Sequence, residues 1–72
     1  MYRKAVNYLR GQAVVEITSS APERVVNLCA AHGIPFWDVD WRTERCFRVT
    51  TTLPGLSLLR QVTADTDADI RL

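Results

Sequence analysis

A strict alternation of apolar side chains marks residues 12–18. Ala13, Val15 and Ile17 fall on one side of an extended chain, because successive side chains of a strand point to opposite faces. Glu16 falls on the other side, toward solvent or a binding surface. The pattern predicts a β-strand with one buried face.

The next segment has the spacing of a helix. Ser20 and Glu23 have the separation of a capping box, in which each side chain accepts from the other residue's backbone N–H. Pro22 suits a first helical turn, since its missing N–H would have no partner there. Gly33 suits the left-handed residue that ends a helix, and we assign His32 to the surface of the last turn. The predicted apolar stripe comprises Val25, Val26, Leu28, Cys29 and Ala30.

An aromatic strand follows and ends at Trp41. It alternates Trp37, Val39 and Trp41 with Asp38 and Asp40, so we expect the first three residues on the buried face and the two aspartates on the open one. In the opposite phase both tryptophans would be exposed and would form an adhesive surface. Paired carboxylates can bind a cation, but on an open sheet face we expect them to be solvated.

A second strand returns after a polar turn at residues 42–45. Residues 46–52 are rich in β-branched side chains, with Phe47 and Val49 on the apolar face. The two strands are therefore predicted to form a hairpin, in which Arg48 pairs across with the two aspartates of the preceding strand.

The remaining elements are shorter. Leu53-Pro54-Gly55 is expected to break the strand, and residues 56–64 have helical spacing. Asp65-Thr66-Asp67 is predicted as a turn, and residues 68–72 alternate as a last strand. Residues 2–9 have helical spacing too, and are predicted to form a short helix or an arm.

The element order β-α-β-β-α-β predicts an α+β, ferredoxin-like split βαβ fold with a four-stranded antiparallel sheet, ordered 4-1-3-2. Two helices cover one face of it. We assign residues 12–72 to this domain and residues 1–11 to an N-terminal arm or short helix. The uncovered face is expected to carry Val14, Glu16, Asp38, Asp40, Arg48 and Asp69.

Composition narrows the function without naming it. The chain has 72 residues, of which 47% are hydrophobic, and a net charge of +1. The sequence contains no run of about 18 apolar residues, so we expect no membrane-spanning segment within it. We expect no signal peptide either. The near-neutral charge disfavours a nucleic-acid-binding role.

The side chains that usually carry chemistry are sparse. Cys29 and Cys46 do not form a CxxC pair, and with the single His32 they give no zinc ligand set, so we expect two free thiols, no metal and no cofactor. No nucleophile and base are placed together, which favours a protein without enzymatic activity. Strand three has one aromatic residue and no Gly, which disfavours an RNA-recognition module.

Several short stretches, spread over nearly all 72 residues, resemble the YqfD family of stage IV sporulation proteins. Their order and spacing carry the resemblance, and Gly33-Ile34 followed by Trp37-Asp38-Val39 is the most distinctive part. The other stretches are Tyr8-Leu9-Arg10-Gly11, Ala21-Pro22-Glu23-Arg24, Asn27-Leu28-Cys29, Leu59-Arg60 and Ile70-Arg71.

The resemblance implies a domain of a longer protein. Members of that family are several times longer and carry transmembrane segments after this region, so the chain would be a soluble domain of a membrane-anchored protein in a sporulating bacterial cell. It would act in forespore development with a protein partner of the same programme. No catalytic activity is implied. The chain departs from the family at Asp65-Thr66-Asp67, where a basic residue, Thr and Gly are usual.

We therefore predict a non-enzymatic protein-interaction or assembly domain, with a protein partner or self-association. The alternative function is a small-molecule-sensing regulatory domain of the same fold. Unpaired strands at the sheet edges, residues 34–41 and 68–72, favour lateral assembly. Trp37 and Trp41 would be the anchors of such an interface; the alternative is that both are buried core residues. The candidate interaction surface comprises Trp37, Trp41, Asp38, Asp40 and Arg48.

Overall fold

A computed structural model describes residues 11–72. The helix predicted within residues 2–9 lies outside the described part, and the division into arm and domain stays a prediction. The described elements follow the predicted order: β1 (Gln12–Thr18), α1 (Pro22–Ala31), β2 (Phe36–Thr43), β3 (Cys46–Thr52), α2 (Leu53–Val62) and β4 (Asp69–Arg71).

The four strands form one antiparallel sheet in the order β2-β3-β1-β4, as the sequence predicts. β1 lies in the interior of the sheet. It pairs with β3 along its whole length and with β4 over three residues. The α+β ferredoxin-like arrangement is confirmed.

The core lies between the sheet and the two helices. Ala13, Val15 and Ile17 on β1 are at most 1% exposed, so the predicted alternation is confirmed. Burial of their apolar surface is the main favourable contribution to folding. The other buried apolar residues are Val25, Cys29, Ile34, Phe47, Val49, Leu56 and Leu59.

Helix α1 ends as predicted. Gly33 adopts a positive φ of 66°, which costs a residue without a Cβ little. Its N–H donates to the Ala30 carbonyl, and the Ile34 N–H donates to the Cys29 carbonyl over 2.9 Å. These two bonds form a Schellman motif. His32 is exposed at the C-cap, as expected.

The predicted start of α1 is wrong. The N-cap is Ala21 and not Ser20, and Ala21 has no side chain that could accept a hydrogen bond from the first turn. The capping box with Glu23 therefore does not form, because Ser20 N–H already donates to the distant Asp67 carboxylate. Pro22 does lie in the first turn.

Helix α2 begins earlier than predicted, at Leu53. Thr52 is its N-cap, and the Thr52 Oγ1 accepts from the Gly55 N–H over 2.9 Å. Pro54 therefore lies in the first turn, where its missing N–H costs no hydrogen bond. The segment expected to break β3 does so, since β3 ends at Thr52, and it also forms the first turn of the helix.

The predicted phase of β2 holds for only part of the strand. Asp38 has a positive φ of 56°, and the register with β3 shifts between Trp37 and Asp40. Two β2 residues stand opposite one β3 residue there, which defines a β-bulge. Trp37 pairs with Thr50, whereas Trp41 pairs with Phe47 on the helix-covered face. The bulge thus separates the two tryptophans onto opposite faces.

Both cysteines are free thiols. Cys29 lies in the core, where burial raises the pKa of its thiol. Cys46 is half-buried at the start of β3.

Candidate interaction surface

The structure divides the five predicted surface residues among three places. Of the described residues, neither α1 nor α2 covers one face of the sheet, which we call the open face. Trp37, Asp40 and Arg48 lie on this face, because the register aligns them with positions that alternate with the buried Val15 and Val49. Asp38 occupies the bulge, and Trp41 lies on the other side of the strand. The structure therefore does not bring these five residues together on one face. Their role in binding stays a prediction.

Four charged residues form a row across the open face. Asp40 on β2 pairs in register with Arg48 on β3, Arg48 pairs with Glu16 on β1, and Glu16 pairs with Arg71 on β4. The signs alternate across all four strands, negative, positive, negative, positive. We call these four residues the charge row.

The ion pairs beside the charge row are exposed, and the pair within it is half-buried. Arg48 lies 3.5 Å from Glu16, which neutralises the middle of the row. Asp40 pairs with Arg42 of its own strand at 3.1 Å rather than with Arg48, so the predicted cross-strand ion pair does not form. Arg71 likewise pairs with its neighbour Asp69 at 2.8 Å. Exposed pairs of this kind contribute about 0–1 kcal/mol each, so they hold the side chains only loosely.

An apolar patch borders the charge row. Val14, Thr50 and Trp37 stand side by side on β1, β3 and β2. Thr50 is only 4% exposed, although it lies on the face that neither α1 nor α2 covers. The half-buried Val14 and Trp37 flank it on both sides. The open face therefore combines an ordered set of charges with an apolar surface.

The second surface is the outer part of β2, which we call the hairpin edge and define by Val39 and Trp41. These side chains are 46% and 51% exposed, and both are large and apolar. The Trp41 ring lies 4.9 Å from the buried ring of Phe47, centroid to centroid, with a 38° angle between the planes. The core thus fixes one side of the indole and leaves the other side to solvent.

A cleft of about 320 Å³ lies at the start of α1. The Asp67 carboxylate reaches this helix from the loop before β4, and it accepts from the Ser19 hydroxyl at 3.0 Å and from the Ser20 N–H at 3.1 Å. Ser19 Oγ in turn accepts from the Ala21 N–H. Hydrogen bonding from Ser20, through its side chain and its backbone, and from Ser19 lowers the pKa of Asp67.

Asp67 also bears on the small-molecule-sensing alternative. A helix N-terminus attracts anions, because its backbone N–H groups point outward and its dipole is positive there. In this chain a carboxylate of the chain itself already accepts from the residues before α1. An anionic ligand would have to displace Asp67 from this cleft.

No cluster of metal-binding side chains was found among residues 11–72. The bulge gives Asp38 and Asp40 different backbone conformations, and Asp40 is held by Arg42. The two carboxylates therefore do not act as a pair.

A family model matches residues 7–72, which is nearly the whole chain. Its description reads "Putative stage IV sporulation protein YqfD". The chain belongs to the YqfD family. No curated protein and no solved structure matched it.

Membership in the YqfD family makes the chain a sporulation-related protein, and the description of the family names no reaction. The match includes the charge row, the hairpin edge and Asp67. Within residues 11–72, neither helix has the length and hydropathy that a membrane crossing requires.

Sequence reasoning missed three features of this YqfD domain. Arg71 was placed on the last strand, but its alignment with Glu16 depends on the β1–β4 register. Val39 was expected on the buried face, and the bulge exposes it. Asp67 was expected only in a turn, although a positive helix end favours a neighbouring anion in any fold that brings one close. The role of Asp67 depends on its contacts with Ser19 and Ser20, which are distant in the sequence, so no local sequence pattern indicates it.

Proposed function

We propose that this chain is a non-enzymatic interaction domain of a membrane-anchored sporulation protein that acts in forespore development. The hairpin edge binds a protein partner of the same programme. The half-exposed indole of Trp41 carries the proposal, because large aromatic side chains dominate the binding energy of protein interfaces.

The support of Trp41 by the core favours this role. Its ring packs against Phe47, which is itself only 2% exposed. An indole fixed in this way loses little conformational entropy when a partner covers it, and a fixed side chain binds more tightly than a mobile one. Val39 adds a second apolar side chain on the same strand.

Side chains, rather than the strand backbone, are proposed to make the contact. The bulge at Asp38 interrupts the regular ladder that an added strand would need, and β4 at the other edge has three residues. Bulges and short edge strands are devices by which sheets avoid pairing with further strands. Strand-by-strand lateral assembly is therefore disfavoured, and a partner that covers Val39 and Trp41 is favoured.

The test is spore formation by cells that carry Trp41→Ala in the full-length protein. We expect the yield of heat-resistant spores to fall toward that of a strain lacking the protein, while Trp41→Phe retains most of it. Leu53→Ala is the matched control, since Leu53 is 45% exposed at the start of α2, away from the hairpin edge.

Folding and binding are separated by a second measurement. The Trp41→Ala domain should remain folded by far-UV circular dichroism, because Trp41 lies outside the core. A photo-crosslinking residue at position 41 should form an adduct with another protein in sporulating cells, and the same residue at position 53 should not. Normal spore yield with Trp41→Ala, at normal protein level, would refute the proposal.

A further inference from the structure

We infer that the open face of the sheet binds a second copy of the same chain, face to face, about a two-fold axis that runs parallel to the strands. This goes beyond the proposed function, because it uses the opposite face and needs no other protein. The carrying observation is the alternating order of charges in the charge row, Asp40, Arg48, Glu16 and Arg71.

Symmetry makes this order self-complementary. A two-fold axis parallel to the strands brings β2 of one copy over β4 of the other, and β3 over β1. Asp40 then faces Arg71 of the second copy, and Arg48 faces its Glu16, so all four contacts join opposite charges. A two-fold axis in the plane of the sheet but perpendicular to the strands would instead place each charged residue opposite the same residue of the second copy, so that like charges would face each other. The charge row therefore selects one of the two symmetric arrangements of stacked sheets.

The arrangement agrees with how sheets pack. Two twisted sheets in face-to-face contact keep their strands within about 30° of each other, and this symmetry operation preserves the strand direction. It generates a closed, isologous dimer, in which each copy uses the same surface. The longer dimensions of the domain are 30 and 24 Å. The sheet face is only part of this cross-section, so the contact buries less than the ~800 Å² that each partner of a standard interface contributes, which fits a weak, salt-dependent dimer.

Apolar and polar residues of the face have matching positions in the dimer. The row next to the charges consists of Trp37, Thr50 and Val14. The same axis places the position of Thr50 in one copy over Val14 of the other, so the apolar surface of the half-buried Val14 and Trp37 lies next to the charge pairs. Each charge also has a partner within its own copy, so the monomer leaves none of the four charges unpaired, and association depends on concentration and salt.

The experiment is a charge-exchange test by analytical ultracentrifugation of the 72-residue chain. The wild-type chain should form dimers at low salt and dissociate in about 1 M NaCl, where the screening length is about 3 Å. Glu16→Arg alone and Arg48→Glu alone each place like charges opposite each other twice in the dimer. Each should weaken self-association by at least about tenfold, since facing like charges are costly at interfaces.

The decisive sample is an equal mixture of the two single variants. In a mixed dimer the arginine introduced at position 16 of one chain faces the glutamate introduced at position 48 of the other. The native Arg48 of the first chain faces the native Glu16 of the second, so every contact joins opposite charges again. We expect dimers to return to near the wild-type level. This recovery also shows that both variants are folded, because a misfolded chain could not complement the other.

The double variant that exchanges both charges in one chain gives a further check. It should dimerise with itself but not with the wild-type chain. Trp41→Ala should dimerise normally, so failure of this inference is distinct from failure of the proposed function. A wild-type chain that stays monomeric at millimolar concentration and low salt would overturn the inference. A mixture that associates no better than its components would overturn it as well.

Discussion

Strands β2 and β3 are antiparallel neighbours of similar length, yet they differ in almost every physical respect. β3 has buried side chains at four of its seven positions, whereas β2 has none fully buried. β3 pairs with strands on both sides, and β2 lies at the sheet edge. β2 also carries the bulge, the hairpin edge and Asp40 of the charge row. The comparison teaches that an interior strand holds the fold, which leaves its neighbour free to expose charged and large apolar side chains.

The largest expected effect separates the two aromatic partners Phe47 and Trp41. Phe47→Ala should lower the free energy of unfolding by about 3–5 kcal/mol, because it opens a cavity in the core. Trp41→Ala should lower it by only about 1 kcal/mol, the scale of one aromatic contact. Chemical denaturation, monitored by circular dichroism, measures the free energy of unfolding of both variants. Equal losses would mean that β2 supports the fold as much as β3 does.

A smaller effect concerns the bulge. Asp38 has a positive φ, which β-branched residues adopt only at a cost. Asp38→Val should therefore destabilise the domain by about 1–2 kcal/mol, the cost of a left-handed conformation for such a residue. Asp38→Gly is the control and should leave the stability nearly unchanged. If Asp38→Val is as stable as Asp38→Gly, the fold does not require the bulge at this position. In that case the strand has changed its register, and the amide signals of Trp41 should shift in a nuclear magnetic resonance spectrum.

The smallest effect compares two carboxylates, Asp40 on β2 and Asp67 before β4. Hydrogen bonds from Ser20 and Ser19 lower the pKa of Asp67 below its usual 3.8. Its ionised form thus stabilises the fold at neutral pH, and this contribution is lost as the pH falls below about 3.8, through the folded-state pKa. Asp67→Asn should lower the Tm at pH 7, and its difference from wild type should shrink in acid.

Asp40→Asn is the matched control for that measurement. Asp40 pairs with Arg42, which is exposed, so its loss should change the Tm at pH 7 by less. A larger decrease in Tm from Asp40→Asn than from Asp67→Asn would contradict this expectation, because it would mean that the carboxylate on the bulged strand stabilises the fold more than Asp67 does.

The sequence predicted what depends on local periodicity. The alternation around Val15 identified β1 and its buried face, and Gly33 identified the end of α1. The element order then led to the sheet order, because few topologies of this kind keep right-handed crossovers. Each of these inferences needs only neighbouring residues and general rules of chain geometry.

The start of each helix and the phase of β2 depend on contacts that periodicity does not report. Ser20 fits a capping box, but Asp67 competes for its N–H from a distant loop. Thr52 belongs to a β-rich run, so its role as the cap of α2 was hidden. The bulge at Asp38 adds one residue to β2, so Asp40 and Trp41 lie on the faces opposite to those that a regular strand starting at Trp37 would give them. The candidate surface was therefore predicted by residue type and not by geometry.

The interior position of β1 has a consequence for synthesis. The ribosome releases the chain from its N-terminus at roughly 5–20 residues per second, so β1 emerges before either strand that pairs with it. The β2–β3 hairpin is the first strand pair that can close, and β1 must then join the free side of β3. The carboxylate of Asp67 emerges later still, so the start of α1 gains its hydrogen-bond partner only when most of the domain has left the exit tunnel.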